Sequence, residues 1–265
     1  MNKPPFSFED GAATHTGCIR SHNEDRFLRK PRSGVWVVAD GMGGHEAGDF
    51  ASEAIVDSVT SIGLPSSAPD LQARFAERIT RAHGVIRQRS EDLGGATVGA
   101  TLVALLIFED SFACIWSGDS RIYRLRDGEL GQVTVDHTEA QELLDAGSIT
   151  PEQAANWPRK NVITRAIGVS DSPKLAEKYG HLTEGDVFLL CSDGLTEHVE
   201  DAEIAEALAS SGAQAACDNL VALTLERGAK DNVTIVVIHC LPQKEERLAQ
   251  DVTLPPTDID WSIGN

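Results

Sequence analysis

Four aspartates stand at or beside the ends of apolar runs: Asp40 in VVADGMGG, Asp119 in WSGDSR, Asp193 in LLCSDGL and Asp231 in AKDNVTIVV. An unpaired carboxylate next to a wholly apolar run is costly to desolvate unless a cation or hydrogen-bond donors meet it. A hard metal meets that need, and all-oxygen ligands select Mg²⁺, Mn²⁺ or Ca²⁺ over zinc. Two such ions roughly 4 Å apart are a known device for in-line attack on phosphorus. For any single Asp-Gly, as at Asp40 and Asp193, a plain turn is the better reading, because the dipeptide is foremost a turn signal. The same dipeptide recurs at Asp10 and Asp127, and both read as turns, the second inside the hairpin RLRDGEL.

Glycines surround the first acid in DGMGGHEAG, which lets the backbone approach a metal and offers the Gly41 carbonyl as a ligand. A nucleotide-phosphate loop is the alternative for such a segment, but GxxxxGK[ST] is absent and no GxGxxG has a partner acid. Near the N-terminus, TGCIRSHNEDRF sets Arg20 ahead of Asp25, a cation for a phosphate and a carboxylate for a metal shell. On spacing alone the signal is weak, and plain solvation is the favoured reading of an exposed Arg and Asp in a loop.

The elements that must position these residues are legible as hydrophobic patterns. Val35–Ala39 and Val187–Cys191 are short apolar runs that stop at Asp-containing turns, as buried strands do. Further strands are expected at Thr101–Phe108, Phe112–Trp116, Ile122–Leu125 and Val233–Ile238. Two amphipathic helices follow from Ala47, Phe50, Ala51, Ala54, Ile55, Ser58, Val59 and Ile62, and from Leu71, Phe75, Ile79, Ala82 and Ile86. Later helices are expected at Ala202–Ala209, capped by Asp201, and at Gln214–Arg227, ended by Gly228. Strands adjacent in sequence favour antiparallel sheets in an α+β layered domain over alternating βαβ units. We expect one domain over residues 1–241 and a polar tail without periodicity over 242–265.

The 265-residue chain carries 41 acidic and 23 basic residues, a net charge of −18, so its field repels nucleic acid and anionic lipid. Five cysteines without CxxC spacing (Cys18, Cys114, Cys191, Cys217 and Cys240) read as reduced core thiols rather than a zinc site or disulfide framework. The N-terminus lacks a signal-length apolar segment and the longest apolar run is too short to span a bilayer. We expect a cytoplasmic monomer with no nucleic-acid or membrane partner.

In order, TGCIRSHNEDRF, VWVVADGMGGHEAG, GATLVALL, WSGDSRIYRLRDG, DHT, VITRAIG, LLCSDGLTE and KDNVTIVV resemble the signature series of the PPM family, the type 2C serine/threonine protein phosphatases, in its short bacterial branch. The resemblance implies an αββα sandwich of two antiparallel sheets flanked by helix pairs, with two Mn²⁺ or Mg²⁺ ions in a cleft at one end. It implies that Asp40 bridges the ions, that the Gly41 carbonyl binds one, and that Asp193 and Asp231 complete the other. Asp119 with Asp193 would take a third ion. Arg20 would grip the substrate phosphate, Asp25 orient the water in the metal shell, and Glu24 reach a metal through water. The implied reaction is direct attack of a metal-bridging hydroxide on phosphoserine or phosphothreonine, with phosphorylated proteins, a Hanks-type kinase and its substrates as partners. Some short relatives act in type VI secretion switches.

One departure bears on mechanism. Met42 stands where eukaryotic members carry a general-acid histidine, and His45 nearby fits either a proton donor or a capping residue. The stretch from Asp136 to Gly168 resembles the family's variable flap, where Ile149, Val162 and Ile163 read as packing residues. A pseudophosphatase used as a binding module is one alternative, and the presence of Asp40, Asp193 and Asp231 argues against it. An acidic calcium-binding protein is another, and no DxDxDG loop supports it.

Overall fold

The apolar runs become strands buried on both faces, because each sheet meets helices on one side and the other sheet on its second side. The structure is a computed structural model and describes residues 6–43 and 47–243. In chain order the elements are β1 (Phe6–His15), β2 (Asp25–Lys30), β3 (Val35–Met42), α1 (Ala47–Thr60), α2 (Ala68–Asp92), β4 (Gly99–Ala100), β5 (Leu102–Phe108), β6 (Ser111–Ser117), β7 (Arg121–Arg126) and β8 (Glu129–Gln132). There follow α3 (Glu139–Asp145), α4 (Pro151–Ala155), β9 (Ala176–His181), β10 (Val187–Cys191), α5 (Asp193–Thr196), α6 (Asp201–Ser210), α7 (Ala213–Glu226) and β11 (Val233–Pro242). One sheet runs β1-β11-β10-β7-β8 and the other β2-β3-β5-β6-β9, with β4 paired beside β3. Every pairing between these strands is antiparallel.

Alternation along β3 divides its side chains between two cores, as a strand's two-residue period requires. Val35, Val37 and Ala39 pack under α1 and α2 with Ile55, Phe75 and Ile79. Trp36 and Val38 point the other way, into the layer between the sheets, where Val103, Phe188 and Val236 meet them. Leu189, Val237, Leu208 and Leu220 close the third layer under α6 and α7. At about 1.5–3 kcal/mol for each large apolar side chain removed from water, these three layers are the main stabilising term. The αββα sandwich expected from the sequence is the fold observed.

Several local expectations are corrected. Asp10 is no turn: β1 runs straight through Asp10-Gly11, and the Asp10 carboxylate accepts from the Trp36 indole N–H at 2.6 Å. Glycine follows because α7 crosses β1 there, so a Cβ on Gly11 would lie 2.5 Å from the Gln214 Cα. Asp25 is not in an exposed loop but opens β2 and is 2 % exposed. The strand ending in Asp40 continues through Gly41 and Met42, which pair with Ala100 and Gly99. Asp193 opens a short helix, α5, rather than a simple turn. Glu200 rather than Asp201 caps α6, through a capping box with Glu203. Pro242, expected in the tail, ends β11 opposite Phe6, and residues 244–265 of the expected tail lie outside the described residues.

The Asp127 turn is as expected. Asp127 and Gly128 take positive φ of 53° and 82° between β7 and β8, the left-handed pair that a two-residue hairpin needs. Cys114, Cys191, Cys217 and Cys240 are buried free thiols, each pushed up to about 12 by burial, whereas Cys18 is exposed. Among the described residues no helix is long and apolar enough to cross a membrane.

Candidate metal centre and phosphate cleft

The acids reach one cleft from both sheets. Asp25 and Asp40 face each other in the β2–β3 register. Thr101 fixes the backbone beside Asp40 in both directions, donating its N–H to the Asp40 carbonyl at 2.8 Å and accepting from the Asp40 N–H at 3.1 Å. Next to it only glycine fits, since a Cβ on Gly41 would lie 2.1 Å from the Gly48 carbonyl oxygen at the start of α1. Asp119 sits on the β6–β7 connection, after Gly118 at φ +114°. Asp193 begins α5, and Asp231 directly precedes β11.

Asn232 holds the segment that carries Arg20. Its side-chain amide donates to the carbonyls of Thr16 and His22, both at 2.9 Å, and its Oδ1 accepts from the Glu24 N–H at 2.8 Å. Arg20 thereby reaches Asp231 and donates to its Oδ2 at 2.6 Å. The resulting cleft has a volume of about 490 Å³, and Arg20, Asp40, Gly41, Asp119, Asp193 and Asp231 all line it. Glu24 lines it too, while Asp25 lies behind, its Oδ2 accepting from the Ser192 hydroxyl at 2.7 Å.

Electrostatically the cleft is dominated by carboxylates, with the Arg20 guanidinium as a cation on its wall. Burial first, and the neighbouring acids second, hold Asp40 and Asp193 well above the usual carboxylate range. Burial pushes Asp25 and Asp119 up to about 6, and it also raises Glu24. Among the described residues, buried oxygens of three of these groups, Glu24 Oε1, Asp25 Oδ1 and Asp193 Oδ1, have no hydrogen-bond partner. Mutually repelling carboxylates with unsatisfied oxygens fit divalent cations. Among the described residues no group of three or more His, Cys, Asp or Glu side chains is already placed to hold a metal ion. Mg²⁺ and Mn²⁺ suit such an open arrangement, because they keep several waters and need few protein ligands each. Arg20 meanwhile supplies a positive charge to Asp231, which raises the Arg20 pKa.

The sequence-predicted residues therefore come together, apart from Asp25, which backs the cleft. His45 lies outside the described residues. Reading the sequence missed His22, Thr101, Asn161 and Ile163 on the cleft wall, and Ser192 and Asn232 behind it. Asn232 had a legible signal, an amide residue immediately before a strand and next to an acid. Thr101 had none, because it reads as the first residue of an apolar run. The packing reading of Ile163 and Val162 is corrected: Ile163 lines the cleft and Val162 is 40 % exposed.

The chain matches the model of the protein phosphatase 2C family over residues 19–232. It is 38% identical over 230 residues to the serine/threonine protein phosphatase PstP of Mycobacterium tuberculosis, which covers 85% of this chain but only 44% of that protein. Among solved structures, PppA, described as a key regulatory component of T6SS in Pseudomonas aeruginosa, superposes with a TM-score of 0.82 at 41% identity, covering 88% of this chain and 98% of that one. The catalytic domain of PstP solved in complex with two manganese ions superposes with a TM-score of 0.78 at 35% identity, covering 89% and 99%.

Proposed function

The chain belongs to the protein phosphatase 2C family, and we propose that it hydrolyses phosphoserine and phosphothreonine in proteins with divalent metal ions held in the acidic cleft. The observation that carries this reading is the meeting of Asp40, Asp119, Asp193 and Asp231 around one cavity with Arg20 on its wall. Asp40, the Gly41 carbonyl, Asp193 and Asp231 would hold two Mn²⁺ or Mg²⁺ ions, and Asp119 with Asp193 would take a third. Bound cations supply Lewis-acid activation of water and neutralise charge on the phosphoryl oxygens.

The side chains do the rest. Arg20, drawn now to Asp231, is long enough to turn its planar donor fork onto the phosphate and hold it for in-line attack. Asp25 has one oxygen fixed by Ser192 and the other free, so it can accept a hydrogen bond from the attacking water and set its direction. Glu24 adds a second acceptor on the same wall. Met42, also on the wall, has no proton to give, so protonation of the departing seryl or threonyl oxygen does not come from that position.

The substrates on this reading are phosphorylated proteins, a Ser/Thr kinase and its targets among them, met by a monomer in the cytoplasm. The likeness to PppA, described as a key regulatory component of T6SS, extends the proposal to a regulatory role in type VI secretion. Hydrolysis of p-nitrophenyl phosphate with Mn²⁺, with EDTA and by Asp40→Asn tests the reading. It predicts turnover only for the unmodified, metal-supplied protein, and metal-independent turnover would overturn it.

A further inference from the structure

His137 holds four attachments that join the flap to the loop carrying Asp119. Its backbone N–H donates to the Gly118 carbonyl at 2.9 Å, and its ring Nδ1 accepts from the Gly118 N–H at 3.1 Å. Both polar backbone atoms of the residue before Asp119 are thus held by one residue. The His137 carbonyl accepts from the Thr164 N–H at 2.8 Å, where Thr138 and Ile163 also pair, so the flap is closed at its base. The ring lies against Trp116, with centroids 6.0 Å apart and planes inclined by 11°.

From the opposite side, Gly118 abuts Thr101, since a Cβ there would lie 2.7 Å from the Thr101 Cβ. Thr101 in turn binds the Asp40 backbone and the Ser120 hydroxyl. The loop bearing Asp119 is therefore gripped between the flap base and the residue that fixes Asp40.

A neutral imidazole accepts at one nitrogen only. Two donors compete for it, the buried Gly118 N–H at Nδ1 and the Arg165 guanidinium, 3.3 Å from Nε2. A buried backbone N–H left without an acceptor costs more than a half-buried guanidinium that reaches water. Nδ1 is accordingly the acceptor and Nε2 carries the proton.

We propose that His137 is a positioning residue that couples closure of the flap to placement of the Asp119 carboxylate, through its Nδ1 contact to the Gly118 N–H. Coupling of this kind is reciprocal: a cation taken up at Asp119 tightens the flap by the same factor by which a closed flap favours that cation. The kinetic part of this inference rests on the phosphatase reading of the cleft, whereas the structural part does not.

Three full-length proteins test it: the wild type, His137→Phe and His137→Asn. Phenylalanine keeps the ring against Trp116 but removes the acceptor, while asparagine restores an acceptor close to the Nδ1 position. Amide hydrogen exchange is followed at Gly118, Glu139 and Thr164 with and without Mn²⁺, alongside kinetics on a phosphothreonine peptide and on p-nitrophenyl phosphate. In His137→Phe the Gly118 and Thr164 amides should exchange about tenfold faster or more, as loss of a buried hydrogen bond implies. Mn²⁺ should slow flap exchange in the wild type and in His137→Asn but not in His137→Phe. Peptide kcat/KM should fall about tenfold in His137→Phe, with the small ester, which lacks a chain to meet the flap, less affected. Wild-type exchange in His137→Phe overturns the proposal, as does a folded His137→Asn that behaves like His137→Phe, or Mn²⁺ that leaves the wild-type flap unchanged. If the exchange pattern holds while the wild type cleaves no phosphopeptide, the coupling stands and the phosphatase reading falls.

Discussion

At the scale of single residues, the site is held in a conflicted state that its ligand is needed to resolve. Asp40 and Asp193 are destabilised first by burial and then by neighbouring acids, chiefly Asp25 beside Asp40 and Asp119 beside Asp193. Asp40→Asn removes one charge from this group, so the metal-free protein should gain about 1 kcal/mol, or roughly 2–4 °C in melting temperature for a domain of this size. The same substitution should abolish turnover and the melting shift produced by Mn²⁺, and differential scanning calorimetry reads both stability effects. Asp193→Ala should likewise remove activity, whereas Asp119→Ala should lower it and leave the two-ion site. Arg20→Ala removes a charge-assisted contact of about 1.5–3 kcal/mol, predicting a roughly 10–100-fold loss in kcat/KM on a phosphopeptide, carried mainly by KM. Initial-rate kinetics decide that split, and an effect confined to kcat would contradict the phosphate-gripping role. Strand-end acids were legible as a possible metal site because apolar runs flank them. Asp25 was legible only as a weak candidate in a loop, since the polar residues around it hide the strand it opens and the Ser192 hydroxyl it meets is distant in sequence.

At the scale of elements, the flap is tied back to α2 by His83. Its Nδ1 accepts from the Gly168 N–H at 3.0 Å and its Nε2–H donates to the Ser170 carbonyl at 2.9 Å. Gly168 stands at φ +95°, and a Cβ there would lie 2.2 Å from the Ile86 Cγ2. Gly168→Ala should therefore cost about 2–4 kcal/mol by adding left-handed strain to overpacking, which a urea midpoint measures.

His83 also gives a pH dependence with a definite sign. Burial lowers its pKa in the folded protein, so the unfolded chain takes up the proton first as pH falls. Its stabilisation is complete above about 6.5, the ordinary histidine value, and is lost as pH drops below that and through the lower folded value. The stability difference between wild type and His83→Gln should shrink on acidification over this window, and a constant difference would refute the assignment. Periodicity located α1, α2 and the buried strands, whose apolar faces are continuous. It missed β1 and β2, because edge strands of a sandwich carry polar residues, and in β1 an Asp-Gly pair imitated a turn while serving Trp36 and α7.

At the scale of the whole molecule, the fold explains why residues as far apart in sequence as Arg20 and Asp231, 211 positions, form one site. Two sheets stack so that β3, the β6–β7 connection, β10 and β11 deliver their acids to the same edge. Divalent ions that bind only the folded chain should stabilise it by mass action, about 2.7 kcal/mol at a hundred times the dissociation constant. That corresponds to roughly 5–10 °C in melting temperature, reversed by EDTA. Calcium in place of Mn²⁺, giving the larger shift without phosphate release, would favour a binding protein instead. The layered architecture was open to the sequence through adjacent strand runs and paired helices, whereas the flap's closure over the cleft depends on contacts such as that of His137 with Gly118, which no local pattern encodes.

The most direct test is phosphate release from a phosphothreonine peptide, measured against Mn²⁺ concentration for the wild type and Asp193→Ala. Release should rise from background with Mn²⁺ in the wild type, vanish with EDTA, and stay at background in Asp193→Ala at every concentration. Release that persists in EDTA, or that Asp193→Ala retains undiminished, would contradict the assignment of the cleft as a metal-dependent phosphatase site.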